Sequence, residues 1–171
     1  MRFDSVEYME WAKMNSWAPV NLARSGVPGL DFQDVGLDFQ GIRINGDHPD
    51  GWTPLIETIA ARIFPRLDEI KAKTRAWIES GRAAVRTFIE SEPRLGWVEP
   101  DGGLVAFPRV EENRGGAWGG DRLARVLRES YGMSIVAGLF FEDSRTFRLG
   151  YGVPADMLDQ GLKNIRAALS S

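Results

Sequence analysis

Cysteine is absent from this 171-residue chain, and the sequence contains a single histidine. The lack of cysteine excludes disulfides, thiolate chemistry and cysteine-bound metal. The histidine, His48, lies close to Asp47 and Asp50 in a turn-like stretch. These neighbours are compatible with a metal site or a general base, but one histidine beside two loop carboxylates is more typical of a turn.

Long apolar runs and a surplus of either charge are also missing. No segment approaches the roughly 20 apolar residues that a transmembrane helix needs. The 21 basic and 24 acidic residues leave a net charge of −3, and the basic residues mostly share helix faces with acids. These patterns argue against membrane and nucleic-acid partners. The acidic first residues do not have the pattern of a signal peptide, so we expect a cytoplasmic protein.

Two stretches rich in aromatic and aliphatic residues predict strands. In Gly96–Val110, two apolar runs flank Pro100–Gly103, which predicts a hairpin. In Thr146–Pro154, apolar and polar residues alternate, so one face can be buried while Arg148 projects from the other. The apolar positions of this second stretch are Phe147, Leu149 and Tyr151.

Amphipathic patterns before these strands predict helices. Thr53–Pro54 is a typical helix start, because threonine can cap the first turn and proline is tolerated at the first helical position. Pro65 then opens an amphipathic segment that predicts one long helix over about residues 65–92. Residues 14–49 lose the helical period and are rich in turn-forming residues, so we expect an irregular arm.

Two further helices lie in the second half of the chain. Asp121 can cap one that ends at Gly132, and Pro154 begins the last one. Strands followed and separated by covering helices predict an α+β fold, with a small antiparallel or mixed sheet covered by helices. Because 171 residues is the usual size of one domain, we expect a single domain over residues 1–171.

The order of these elements carries a family resemblance. The long helix is followed by the motif at Trp97–Arg109, a helix, a short strand, the motif at Phe147–Gly152 and a final helix. This order, over about Arg66–Leu169, resembles the C-terminal small domain of fold-type I, pyridoxal-phosphate-dependent aminotransferases of the aspartate aminotransferase superfamily. Asn21–Pro28 and Gly51–Arg62 also resemble that family's N-terminal segment.

The resemblance implies a two-part aminotransferase-like small domain. Residues 1–63 are the N-terminal arm and helix, and residues 64–171 are the C-terminal part. Between Ile63 and Arg66 the family would carry a large cofactor-binding domain, which this sequence does not contain. The chain therefore looks like a truncated aminotransferase-like protein, and we expect its arm to pack on the C-terminal sheet.

The resemblance also assigns a role to Arg148. In the family the matching arginine grips the substrate α-carboxylate through a two-pronged hydrogen-bonded pair, which a guanidinium fits and an ammonium does not. Gly26, carried by the arm, is the expected opposite wall of this carboxylate site. From the residues alone, the alternative is a strand arginine paired with a nearby acid such as Glu142 or Asp143.

The family's cofactor is pyridoxal phosphate, and transamination needs a lysine that forms a Schiff base with it. None of the four lysines has the family's sequence setting, because all lie in amphipathic helices: Lys13, Lys71, Lys73 and Lys163. We therefore predict no cofactor, catalytic residue or metal ligand for this chain alone, and a non-catalytic binding or assembly module with a weak site for small carboxylates. The alternative is a pyridoxal-phosphate-dependent aminotransferase, which transfers amino groups between amino and keto acids, acting only in complex with another chain, or a fragment of such an enzyme.

Six tryptophans are many for a chain of this length, and aromatic residues often mark recognition surfaces. Trp17, Trp52 and Trp118 lie in or beside loops, and Phe64 lies where the cofactor-binding domain would join. We expect these residues to form an apolar interface. The expected partner is a second copy of this chain or a full-length aminotransferase-like protein.

Overall fold

The computed structural model describes residues 6–15, 17–26, 29, 53–111 and 119–171. The chain divides into two compact units, one formed by Gly29–Trp77 and the other by Met1–Pro28 together with Ile78–Ser171. The expectation of a single domain stays a prediction. His48, Trp52 and Trp118 lie outside the described residues.

The smaller unit is helical in its described part. It contains α2 (Thr53–Ile63), a short 3₁₀ turn (Phe64–Arg66) and the first half of α3 (Leu67–Glu90). The sequence predicts a helix start at Pro65, whereas the regular helix begins two residues later. Proline has no N–H to continue the hydrogen-bond ladder of α2, so the chain tightens at this point before α3 begins.

The described part of the larger unit contains three more α-helices, α1 (Glu7–Met14), α4 (Gly120–Tyr131) and α5 (Ala155–Leu169), and a 3₁₀ helix at Gly138–Phe141. α5 follows Pro154 as predicted. α4 ends at Gly132, whose φ of 58° is the left-handed conformation expected of a C-terminal glycine. The predicted cap at Asp121 is wrong, because Gly119 is the N-cap and the Asp121 carboxylate instead accepts the Leu139 N–H at 3.0 Å.

Seven short strands complete the described part of this unit: β1 (Val20–Asn21), β2 (Leu95–Gly96), β3 (Val105–Ala106), β4 (Arg109–Val110), β5 (Met133–Ser134), β6 (Val136–Ala137) and β7 (Phe147–Gly150). β1 pairs with β5 in parallel, and β2 pairs with β4 antiparallel. β7 is the centre of an antiparallel sheet between β3 and β6. This mixed pairing, covered by helices, confirms the predicted α+β fold.

The predicted hairpin at Gly96–Val110 forms only at its ends. Leu95–Gly96 pairs with Arg109–Val110, while Val105–Ala106 between them pairs with β7. The intervening loop is held from α3, because Arg82 donates to the carbonyls of Pro100 and Asp101 at 3.1 and 3.0 Å. A local turn signal cannot reveal such a long-range pairing, since β7 lies about forty positions further along the chain.

The core of the larger unit lies between the sheet and helices α3, α4 and α5. Phe147 and Leu149 of β7 and Tyr151 just after it are fully buried, as the alternation predicts. The apolar stripe of α5 is also buried, at Leu158, Gly161, Leu162, Ile165 and Leu169. In the described part of the chain, no helix is long and apolar enough to cross a bilayer.

Candidate carboxylate site

Arg148 lies in the centre of the three-stranded sheet. β7 carries it between β3 and β6, and its neighbours in the strand point into the core. The sequence predicts that Arg148 projects from the other face, and yet its side chain is covered, with only 9% of the residue exposed. An arginine is rarely buried so completely unless it is paired, so its surroundings determine what this position can bind.

Three groups surround the Arg148 guanidinium. Nη2 donates hydrogen bonds to the Tyr8 hydroxyl and, at 3.0 Å, to the Ala23 carbonyl oxygen. The guanidinium carbon lies 5.0 Å from the centre of the Tyr8 ring and 5.4 Å from that of Phe141. Both distances are typical of cation–π contacts. Among the described residues, the groups that hold this cation are therefore all neutral.

Among the described residues, Arg148 has no carboxylate partner. Asp143 pairs instead with Arg145 at 3.1 Å, and this hydrogen-bonded pair lowers the pKa of the Asp143 carboxyl. The Nε atom of Arg148 is buried and has no hydrogen-bond partner in the part of the chain that the structure describes. An unpaired buried donor on a cation is costly, so this position is suited to an anionic ligand.

The N-terminal arm forms one wall of the site. Gly150 N donates to Leu22 O at 2.6 Å, and Leu22 N donates to Ser134 O at 2.9 Å, so the arm lies between β5 and the end of β7. Gly150 is required at this crossing, because a Cβ atom there would lie 2.0 Å from Arg24 O. This close packing brings Ala23 O to Arg148.

Gly26, the expected opposite wall, is exposed and has open space around it. It lines a cavity of about 330 Å³ whose other described lining residues are Trp17, Ala18, Asn21, Arg24, Gly152, Val153, Pro154 and Met157. Arg148 is not among them. Ala23, in the described part of the arm, contacts Arg148 instead, and the pairing of Arg148 with Gly26 stays a prediction.

Three residues of the site, Tyr8, Phe141 and Ala23, have no signal in the sequence that marks them as site residues. Tyr8 is 140 positions from Arg148 in the chain, and α1 reads only as a short helix with a mostly apolar surface. The rings of Phe140 and Phe141 contact the Tyr8 ring. They belong to an apolar run whose sequence fits a strand and an exposed loop equally well. No local spacing links these segments.

The lysines do not fit the family's cofactor. All four are exposed on helices, and the described ion pairs include Lys73 with Glu69 at 3.4 Å and Lys163 with Asp159 at 2.6 Å. A Schiff-base lysine needs a desolvated setting or a cationic neighbour that lowers its pKa, and none of these positions provides the burial. Among the described residues, no cluster of acids or histidine could hold a metal ion.

Two of the four predicted interface residues are described. Trp17 is 89% exposed and lies on the arm, and Phe64 is 74% exposed and lies at the 3₁₀ turn of the smaller unit. Both are therefore accessible to a partner.

Comparison with solved structures identifies the class of fold. The chain superposes with a TM-score of 0.62 on a PLP-dependent aminotransferase from Streptococcus suis, at 22% identity over 68% of this chain and 30% of that one. It superposes equally well, with a TM-score of 0.62, on the PLP-dependent cyclase OrfR, at 26% identity over 68% of this chain and 32% of the other. The predicted resemblance to pyridoxal-phosphate-dependent enzymes is thus confirmed.

The sequence also matches a curated relative. Capreomycidine synthase from Streptomyces vinaceus is 28% identical over 160 residues, which cover 85% of this chain and 38% of the synthase. No family model matches the sequence. The chain therefore spans well under half the length of the proteins that it resembles.

Proposed function

We propose that this chain is a truncated, aminotransferase-like protein that binds small carboxylates at Arg148 and does not catalyse transamination by itself. The observation that carries the proposal is the buried guanidinium, which lacks an acid partner among the described residues and has an unsatisfied Nε. A carboxylate supplies both the missing charge and the missing acceptor. The exposed lysines support the non-catalytic part of the proposal.

The affinity of this site is expected to be low. In a complete aminotransferase-like site the cofactor would also hold the amino group of the substrate, whereas here the carboxylate is the main point of attachment. We expect millimolar dissociation constants at best, equivalent to about 4 kcal/mol. Such a site fits a binding or assembly role better than a tight receptor.

An NMR titration tests the carboxylate site. Pyruvate and alanine should shift amide signals around Arg148 and Ala23 in the wild-type protein, and Arg148→Lys should remove this response because an ammonium cannot make the two-pronged pair. Arg125→Lys, which alters an exposed arginine on α4, is the matched control and should respond like the wild type. The site is vestigial if no shifts cluster near Arg148, or if Arg148→Lys responds unchanged.

The second candidate is an aminotransferase-like enzyme that acts only with another chain. Its support is the exposure of Trp17 and Phe64, which are large apolar side chains in positions where a partner can cover them. The partner would be a second copy or a full-length relative, and it would have to supply the lysine and the phosphate-binding groups. The structural neighbours include a cyclase as well as aminotransferases. The reaction of such a two-chain enzyme could therefore be a cyclisation instead of amino-group transfer.

A further inference from the structure

We propose that Tyr8 is a built-in competitor at the Arg148 site, so that a carboxylate binds with two prongs only when the Tyr8 hydroxyl leaves the guanidinium. This inference rests on the proposed carboxylate function. It makes Tyr8 the residue that sets which anions the site accepts.

The N–H groups of the Arg148 guanidinium limit how a carboxylate can bind to it. Each terminal nitrogen of arginine carries two N–H groups, and Nε carries one. Both hydrogens of Arg148 Nη2 are in use, one donated to the Tyr8 hydroxyl and one to Ala23 O. A two-pronged carboxylate needs an Nη2 hydrogen, whether it binds across the two terminal nitrogens or across Nε and Nη2. Such a carboxylate must therefore displace one of the two present acceptors.

Ala23 O cannot move easily. The segment that carries it, just after β1, is fixed on both sides by the hydrogen bonds of Leu22 with Ser134 and Gly150, at 2.9 and 2.6 Å. The side chain of Leu22 is fully buried in the core. Moving this carbonyl would disrupt that packing, so Ala23 O remains on Arg148 when a ligand binds.

Tyr8 is attached much more loosely. It lies on α1, a helix of eight residues that buries none of them. The helix is held at this end by ring contacts, with the centres of Tyr8 and Phe140 5.9 Å apart and those of Trp11 and Phe140 5.6 Å apart. Elements with little buried apolar surface open at low free-energy cost. The Tyr8 hydroxyl is thus the acceptor that yields.

The exchange favours a carboxylate over the hydroxyl. A hydroxyl is a neutral acceptor, whereas a carboxylate also brings a negative charge to pair with the buried cation. A carboxylate across Nε and Nη2 would also satisfy the Nε–H, which has no partner among the described residues. An anion that offers only one contact gains less from displacing Tyr8, so the hydroxyl selects for two-pronged anions.

Affinity measurements on Tyr8→Phe test the inference. Pyruvate is the probe, and pyruvamide, which lacks the charge, is the ligand control. Tyr8→Phe should bind pyruvate about tenfold more tightly than the wild type, because the competing hydrogen bond to a charged group is gone while the ring stays. Tyr131→Phe removes a hydroxyl from a partly buried ring on α4 and should leave the affinity unchanged.

A second measurement uses the wild-type protein. Saturating pyruvate should speed amide hydrogen exchange in residues 7–14, because α1 loses its contact with Arg148, while pyruvamide should have no effect. Slower or unchanged exchange in α1 would overturn the inference even if Tyr8→Phe failed to fold. The inference also fails if Tyr8→Phe binds pyruvate as the wild type does or more weakly, since Tyr8 would then be neutral or part of the ligand's binding shell.

The two proposals fail in different ways. If pyruvate shifts the signals near Arg148 and Arg148→Lys abolishes them, the carboxylate function stands whatever Tyr8→Phe does. If neither the wild type nor Tyr8→Phe binds pyruvate, the proposed function is refuted and the inference about Tyr8 falls with it.

Discussion

Replacing Gly150 by alanine should detach the N-terminal arm from the sheet. The added Cβ would lie 2.0 Å from Arg24 O and 3.4 Å from Leu22 O. Contacts this short between a side-chain carbon and backbone require the backbone to move. Because β7 is held on both sides by β3 and β6, we expect the arm to be the part that shifts.

The cost can be estimated from what the arm contributes. Burial of the Leu22 side chain is worth about 2–3 kcal/mol, and its two backbone hydrogen bonds add about 1 kcal/mol each. Full detachment would therefore remove about 4–5 kcal/mol. If the arm shifts without detaching, strain of about 1–3 kcal/mol remains. We expect Gly150→Ala to lose between about 1 and 5 kcal/mol of unfolding free energy, with the lower values if the arm only shifts and the higher ones if it detaches.

Urea unfolding followed by circular dichroism measures this loss directly. Gly102→Ala is the matched control, because a Cβ at Gly102 meets nothing within 4 Å. Limited trypsin digestion adds a local readout, since cleavage after the exposed Arg24 should be faster in Gly150→Ala. Equal stability and equal digestion of the two variants would refute the reasoning that the arm packs too closely on β7 to admit a side chain.

Two further predictions concern a buried ion pair and the exposed aromatic residues. Glu92 is 2% exposed, and its carboxylate accepts a hydrogen bond from Arg94 at 2.6 Å, which lowers the pKa of the Glu92 carboxyl. The stabilisation from this pair is therefore present at neutral pH and disappears as the pH falls through the lowered pKa. Glu92→Gln should therefore cost about 1–3 kcal/mol at pH 7, allowing for solvent screening at the partly exposed Arg94, and this cost should shrink as the pH falls through the lowered pKa of Glu92. A constant gap in thermal unfolding as the pH is lowered, or no gap beyond that of Glu79→Gln, would contradict it. If Trp17 and Phe64 form an interface, Trp17→Ser and Phe64→Ser should each lower the weight-average mass in sedimentation at high concentration, and a monomeric wild type would contradict this prediction.

The outline of the fold was accessible from the sequence where its signals are local. The alternation around Arg148, the stripe of α5 and the stop at Gly132 each depend on spacings within one element. The N-cap of α4 was misplaced, because Asp121 can cap a helix and instead binds the Leu139 N–H, a contact that depends on the folded neighbour.

The site was accessible only in part. The family motif pointed to Arg148, but its acceptors come from segments over a hundred positions away, at Tyr8 and Ala23. The burial of Arg148 could not be inferred from the strand pattern, because alternation predicts a direction and not what covers that face. The sequence also could not show which basic residue pairs with a nearby acid, since Asp143 forms its ion pair with Arg145.

The central proposal is that this chain binds carboxylates and that none of its own lysines holds a pyridoxal phosphate cofactor. The most direct test is to incubate the purified protein with pyridoxal phosphate, record the near-ultraviolet and visible absorbance, reduce with borohydride and map any pyridoxyl group by mass spectrometry. We predict no internal aldimine band and only scattered, substoichiometric labelling of the four exposed lysines. Stoichiometric labelling of one lysine would contradict the proposal.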